Sequence, residues 1–238
     1  MFTKSAPYYD ALYSMKDYEA ACAGLHELVR RLHPRAATLL DIGCGTGKHL
    51  EHLQRHYRVE GLDVNPELLE IARRRCPSAR FHLADMIDFA LATRFDVVTC
   101  LFSSIAYVRT VENLRRTVSN MAHHLRPGGL LVIEPWFTPE TYWTGTITAN
   151  FVDEPDRKIA WMYTSERAGF LSILNIHYLV GTPRGVEYFT ELHEFGLFTH
   201  AEYIASVRDL GLKVEHDLLG LFGRGLYLGL SLRTPDEP

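Results

Sequence analysis

Up to about residue 135, short apolar runs alternate with segments whose apolar residues recur every third or fourth position. The runs near 37–42, 58–63, 79–83, 95–101 and 129–134 predict buried strands. The segments near 17–33, 46–56, 66–75 and 110–126 predict helices, the first with Ala20, Leu25, Leu28, Val29 and Leu32 on its apolar side. Pro66 opens one helix, and RPGG at 126–129 predicts a turn. Strand and helix in alternation predict an α/β fold, a doubly wound and mostly parallel sheet with helices on both faces.

From 145 to 197 the period changes. "KIAWMYTSER", "FLSILNIHYLVG" and "GVEYFTELHEFG" are long, aromatic-rich and alternating, with bends at Gly169 and "GTPRG". They predict an inserted antiparallel β layer. A helix near 199–210 and strands near 212–219 and 225–232 return to the first pattern. The chain therefore divides into a helical arm (1–36), a ligand-binding α/β part (37–144), the insertion (145–197) and a return to the sheet (198–238).

With 238 residues, 47% of them hydrophobic, the chain can bury one large core or a core with an appendage. The net charge of −4 does not favour a nucleic-acid partner, and "RRRC" at 73–76 reads as a solvated helix end. Cys22, Cys44, Cys76 and Cys100 form no CxxC pair, which points to reduced thiols and the cytoplasm. No apolar run is long enough for a membrane span, and no cluster has metal-ligand spacing.

The chemistry concentrates in "LLDIGCGTGKHLEHL", where Gly43, Gly45 and Gly47 follow a strand and precede a helix. Glycines there serve positive φ angles or close approach to a ligand, although a plain tight turn would use them too. The spacing is G-x-G-x-G, not the dinucleotide G-x-G-x-x-G, and no GK[ST] follows for a triphosphate. Asp63 ends the second strand, where a carboxylate can accept both hydroxyls of a ribose. Asp85 ends the third, placed for the exocyclic amine of an adenine, with Met86 beside the ring. Singly, each acid is as well a helix cap or a loop residue. Jointly they describe an adenosine with a short charged tail.

"LLDIGCGTG", "GLDVN", "LADM", "FDVVTCLFSS" and "LRPGGLLVIEP" resemble the class I S-adenosylmethionine-dependent methyltransferases over roughly 37–135. Over nearly the whole chain, "YYDALYSMKDY", "FSSIAYV", "EPWFTPETYW", "LFTHAEYIASVRDLGLKVE" and "GRGLYLG" resemble the TDP-amino-sugar N,N-dimethyltransferases of desosamine and mycaminose biosynthesis. That resemblance implies S-adenosylmethionine as cofactor, held by Tyr18, Gly43, Asp63, Asp85, Met86 and Leu101 beside the other loop glycines. It implies a TDP-amino sugar of antibiotic or other natural-product biosynthesis as substrate, with the insertion as substrate-binding layer, and a homodimer. It places Tyr13 near the sugar, Arg224 on the nucleotide, and Trp143 and the stretch Trp161, Tyr163 and Ser165 along the substrate site. Two departures stand at the sugar end: Trp136 is followed by Phe137 where the family often doubles Trp, and the approach from Tyr13 to Tyr18 is two residues shorter.

Methyl transfer to an amine needs a neutral nitrogen and alignment. Tyr13 on the arm and Tyr107 after the fourth strand are the catalytic candidates, expected to orient the amine; ordinary aromatic packing is the other reading of both. His177 and His193 in the insertion read as packed or rim residues. A nucleobase amine methyltransferase would carry [ND]-P-P-[YF] where this chain has "LFSSIAY". An O-methyltransferase of sugars or other small molecules, and a protein that binds the cofactor without catalysis, remain as alternatives.

Overall fold

The computed structural model describes residues 2–232, so the extreme ends of the first and last predicted segments, residue 1 and residues 233–238, lie outside the described residues. Two helices come first, α1 (Tyr9–Leu12) and α2 (Tyr18–Leu32). Then β1 (Thr38–Ile42), α3 (Lys48–Leu53), β2 (Arg58–Asp63), α4 (Pro66–Arg75), β3 (Arg80–Leu83), β4 (Phe95–Cys100), α5 (Val111–His123) and β5 (Leu125–Ile133) follow in turn. The antiparallel strands are β6 (Ile147–Glu154), β7 (Arg157–Ala168), β8 (Leu171–Thr182) and β9 (Gly185–Gly196). The chain closes with α6 (His200–Arg208), β10 (Leu212–Asp217) and β11 (Leu226–Ser231).

The central sheet runs β10-β11-β5-β4-β1-β2-β3, parallel except at β11, and a separate sheet runs β6-β7-β8-β9. This is the expected doubly wound sheet with an antiparallel layer. Successive residues of the parallel strands feed opposite cores: Leu40 packs with Leu114, Val118 and Met121 of α5, and Leu39 with Leu25, Val29 and Leu50 of α2 and α3. A third core under the antiparallel sheet collects Ile159, Trp161, Ile176, Tyr178 and Phe189, with Leu12 of α1 packed into it.

Local chemistry sets the boundaries. Asn65 caps α4 by accepting from the Glu67 and Leu68 N–H groups, and Thr199 and Glu202 form a capping box on α6. On α2 the buried side is Ala21, Cys22, Leu25, Leu28 and Val29; Ala20 faces solvent, because only positions three or four from Leu25 stay on its face. RPGG is not a free turn but an irregularity inside β5, where Phe95 pairs with Leu125 and Val97 already with Leu130. A Cβ at Gly129 would lie 2.8 Å from the Arg126 carbonyl oxygen, so the chain folds onto itself there. Arg75, expected in solvent, ties α1 to the glycine turn through the Asp10 carboxylate and the Thr46 carbonyl. All four thiols are buried, and burial raises each above the ordinary thiol range.

Gly61, central in β2, has no room for a side chain: a Cβ would sit 2.7 Å from Cys44 Sγ and 2.9 Å from Leu50 Cδ1. Gly61→Ala is expected to cost about 1–3 kcal/mol of stability by urea denaturation. Gly24→Ala, on the open side of α2, is expected to add up to about 1 kcal/mol.

Candidate active site

The strand order reverses between β1 and β4, and a crevice opens at their carboxyl ends, where ligands bind in open α/β sheets. The cavity measures about 270 Å³, and six of the predicted residues line it: Gly43, Gly45, Asp63, Asp85, Met86 and Tyr107. A smaller adjoining hollow of about 20 Å³ shares Gly43 and adds Tyr18 and Leu101. Gly47 reaches neither. It caps α3 with φ of 76°, and a Cβ there would press on Ala72 of α4 at 3.2 Å, so its bareness serves helix packing.

Asp63 holds the site's backbone. Its Oδ2 accepts from the Gly45 N–H at 2.8 Å and its Oδ1 from the Asn65 N–H at 2.8 Å. Burial raises the carboxyl above its ordinary value, against the pull of these bonds. The Val64 N–H adds a third bond, and the carboxylate still has acceptor capacity for a ligand. At Gly43, with φ of 69°, a Cβ would collide with Ser104, 2.7 Å from its Cβ and 2.9 Å from its Oγ, so the bare backbone here lets the loop after β4 come close. Gly45, with φ of 54°, has nothing among the described residues within 4 Å on its side-chain face. Asp85 is exposed at the rim, one oxygen accepting from the Ile87 N–H at 2.9 Å.

The loop after β4 is strained, with positive φ at Phe102 (51°) and Ser103 (62°). Fully buried Glu134 holds it by accepting from the Phe102 N–H at 2.7 Å, and Ser103 donates to the Pro135 carbonyl at 2.6 Å. Arg224 is not an exposed turn residue. Its guanidinium lies 5.5 Å over both the Phe102 and Trp136 rings and 3.8 Å from Glu134 Oε1, and its Nε has no hydrogen-bond partner among the described residues. Burial raises the Glu134 carboxyl, and Arg224 counters it. Tyr13 meets Phe102 edge-on at 5.3 Å, so Tyr13, Phe102, Arg224 and Trp136 make one continuous wall. Tyr18 packs edge-on against His49 at 5.0 Å.

Tyr107 shares a 2.7 Å hydrogen bond with His193 Nδ1, and His193 Nε2 lies 3.7 Å from Glu191 Oε2. Glu191 also draws in the N-terminal segment: its Oε1 accepts from the Thr3 and Ser5 N–H groups at 2.8 and 3.0 Å, and its Oε2 from the Ser5 hydroxyl. Asn65 Nδ2 donates to the Phe2 carbonyl, which lays Phe2 along the cavity. Burial alone would raise the Glu191 carboxyl; the nearby His193 and the bonds from Ser5 and Thr3 outweigh it and hold it at about 2. The sequence reads His193 as a packed or rim residue, and no motif marks Glu191, Glu134 or Phe102. The signal was there in β9, where Phe189, Glu191, His193 and Phe195 share the inward parity and two of them are polar.

Burial raises the Tyr13 and Tyr107 hydroxyls far above the ordinary phenol range, so both stay protonated at neutral pH. Trp161 is buried with its ring stacked on Tyr163 at 5.9 Å. The Ser165 hydroxyl donates to the Trp143 carbonyl at 3.0 Å and accepts from the Thr146 N–H, tying the linker to β7, while the Trp143 ring is more than half exposed. Among the described residues no group of His, Cys, Asp and Glu could hold a metal ion, and no helix is long and apolar enough to cross a membrane.

The methyltransferase-domain family matches residues 39–129. The chain is 40% identical to a dTDP-3-amino-3,4,6-trideoxy-alpha-D-glucopyranose N,N-dimethyltransferase of Streptomyces venezuelae, over 94% of this chain and 97% of that one. It is 41% identical to a dTDP-4-amino-2,3,4,6-tetradeoxy-D-glucose N,N-dimethyltransferase of Saccharopolyspora spinosa, over 94% and 92%. The S-adenosylmethionine-bound structure of CalS10, an amino pentose methyltransferase from Micromonospora echinaspora involved in calicheamicin biosynthesis, superposes with a TM-score of 0.86 at 36% identity, over 97% of this chain and 98% of that one.

Glu191 generates a pH dependence. Its carboxyl is depressed in the fold, so its contribution is complete above the ordinary value of 4.5 and is lost as pH falls toward 2. Glu191→Gln is expected to lower stability at pH 7 by up to about 3 kcal/mol in urea denaturation, with the gap from wild type about halved at pH 3.

Proposed function

As the chain belongs to the TDP-amino-sugar N,N-dimethyltransferases, we propose that it transfers methyl groups from S-adenosylmethionine to the amino group of a TDP-linked deoxyamino sugar. The observation that carries this reading is one cavity lined by the strand-end acids Asp63 and Asp85 and by Tyr107. The residues fit the cofactor: Gly45 lines the cavity and leaves an open cradle that a Cβ would fill, and the Asp63 carboxylate stands beside it as an acceptor for ribose hydroxyls. When bound, S-adenosylmethionine supplies an electrophilic methyl group on a sulfonium.

The chain's own residues bind and orient. Asp63 takes the ribose, and Asp85 and Met86 the adenine. Gly43, Gly45, Tyr18 and Leu101 accommodate the amino-acid end. Tyr13, Trp161 and Tyr163 face the sugar, with Ser165 and Trp143 bracing that wall, and Arg224 takes the nucleotide. An alcohol acceptor must lose its proton to react, whereas an amine needs only a bare lone pair. Tyr13 and Tyr107 are phenols that stay protonated, which favours the amine over the hydroxyl reading. Catalysis then comes from alignment rather than from a base.

The finer assignments belong to the same proposal: the biosynthesis of an antibiotic or other natural-product sugar, in the cytoplasm, by a homodimer. The outer face of the antiparallel sheet supports the homodimer, since Phe151, Met162, Leu179 and Tyr188 are exposed there across adjacent strands. Equilibrium sedimentation tests it.

The decisive experiment presents TDP-3-amino and TDP-4-amino deoxysugars with labelled cofactor and follows S-adenosylhomocysteine; absence of product with every sugar sinks the reading. TDP alone is expected to compete with the sugar nucleotide. Arg224→Ala is expected to weaken that competition roughly tenfold or more, while affinity for S-adenosylmethionine stays within about threefold. If TDP fails to compete with wild type, Arg224 has no nucleotide to bind.

Asp63→Ala is expected to weaken S-adenosylmethionine by roughly 10- to 100-fold in calorimetry, through lost ribose contacts and a loosened glycine turn. Asp63→Asn separates the two: its amide sets a donor against either the Gly45 or the Asn65 N–H, so part of the turn's anchoring persists. Unchanged affinity in both variants removes Asp63 from the cofactor.

A further inference from the structure

We propose that Glu191 and His193 are positioning residues that make Tyr107 a hydrogen-bond acceptor, and never a donor, toward the substrate amine. The proposal rests on the amine-methylation reading above and adds what directs the amine's lone pair.

Proton positions follow from the chain of partners. The Glu191 carboxylate already accepts from Thr3 and Ser5 and has no hydrogen to give. The ring nitrogen facing it, His193 Nε2, lies 3.7 Å away with no hydrogen-bond partner among the described residues, and the carboxylate's negative charge places the imidazole proton on that side. His193 is almost wholly buried, and burial lowers its pKa, so at neutral pH the ring holds one proton and not two. Nδ1 is left bare. The group 2.7 Å from it is the Tyr107 hydroxyl, which must then donate its only hydrogen to His193.

Tyr107 lines the cavity, and with its hydrogen on His193 its hydroxyl can offer an approaching amine oxygen lone pairs alone. This matters for an amine nucleophile. A hydroxyl that donated to the nitrogen would occupy the lone pair needed for attack. A hydroxyl that only accepts takes an N–H instead and leaves the lone pair turned away from it, toward the methyl group. A free tyrosine can do either; a tyrosine whose hydrogen is held by His193 can do only the second. The same device serves both methylations, since the primary and the secondary amine each have an N–H to offer.

The first test needs no turnover. In protein labelled with ¹⁵N-histidine, a long-range proton–nitrogen correlation spectrum, assigned by loss of the signal in His193→Asn, is expected to show His193 protonated at Nε2 and bare at Nδ1. A proton on Nδ1 overturns the proposal, whatever the chain methylates. The kinetic test compares His193→Asn, whose side-chain oxygen can take the place of Nδ1, with His193→Leu, which offers no acceptor. With a TDP-amino sugar, His193→Leu is expected to lower kcat about tenfold with KM within about twofold, and His193→Asn to stay within about threefold of wild type. In a Tyr107→Phe background, His193→Leu should cost nothing further, because no phenol hydrogen remains to be held. Equal losses in both backgrounds, or a natively folded His193→Asn as slow as His193→Leu, overturn the proposal. Failure of the amine reading itself looks different: wild type then releases no S-adenosylhomocysteine, which removes the amine as Tyr107's partner while the spectrum still reports the tautomer.

Discussion

A buried carboxylate can gather several hydrogens at once, and the places where this chain's separate segments must meet are each built around one. At the amino end of β1, Asp96 Oδ2 accepts from the Ala37 and Thr38 N–H groups and from the Thr38 hydroxyl. At the carboxyl ends, Asp63 fixes the glycine turn, Glu134 fixes the strained loop after β4, and Glu191 fixes the N-terminal segment. The donors are mostly backbone N–H groups that would otherwise be left without partners in the interior. Without these acids the sheet would persist, since its cores are apolar, but the loops above it would have no common position.

The site is therefore assembled from parts with different origins. Its floor comes from the parallel sheet, whose turn after β1 and strand end at Asp63 are neighbours by register. Its wall comes from the antiparallel layer and from Arg224, at the far end of the sequence. The third part is the N-terminal segment, which contributes Phe2, Tyr9 and Tyr13 and is held by Asn65, Glu191 and Arg75. Positive φ at Phe102 and Ser103 is tolerated because bonds to Glu134 and Pro135 overdetermine that loop.

Legibility in the sequence followed range. The parallel strands, the meander and the acids Asp63 and Asp85 could be read because each depends on residues adjacent in the chain or on successive strand ends. Ala20 and the RPGG stretch failed at one-residue detail: helix phase in the first case, and in the second a β-bulge that looks like a turn until pairing with Phe95 is known. Gly47 was read with its loop, although its contact is with Ala72 on another helix. Arg75, His193, Glu191 and Glu134 were hard to read for a common reason: each owes its role to a partner dozens or more residues away, and at Arg75 and Glu134 nothing local distinguishes it from a solvated charge. The inward parity of Glu191 and His193 in β9 was the one local clue.

The burial of all four thiols has a practical side. Thiolate is the form that reacts with oxidants and alkylating reagents, and here burial disfavours it at every cysteine. The folded chain should therefore react slowly with maleimides and mild peroxide. A single cysteine placed on its surface would be the one fast-reacting thiol, ready to take a fluorophore or spin label at a chosen point without first stripping the others from the core.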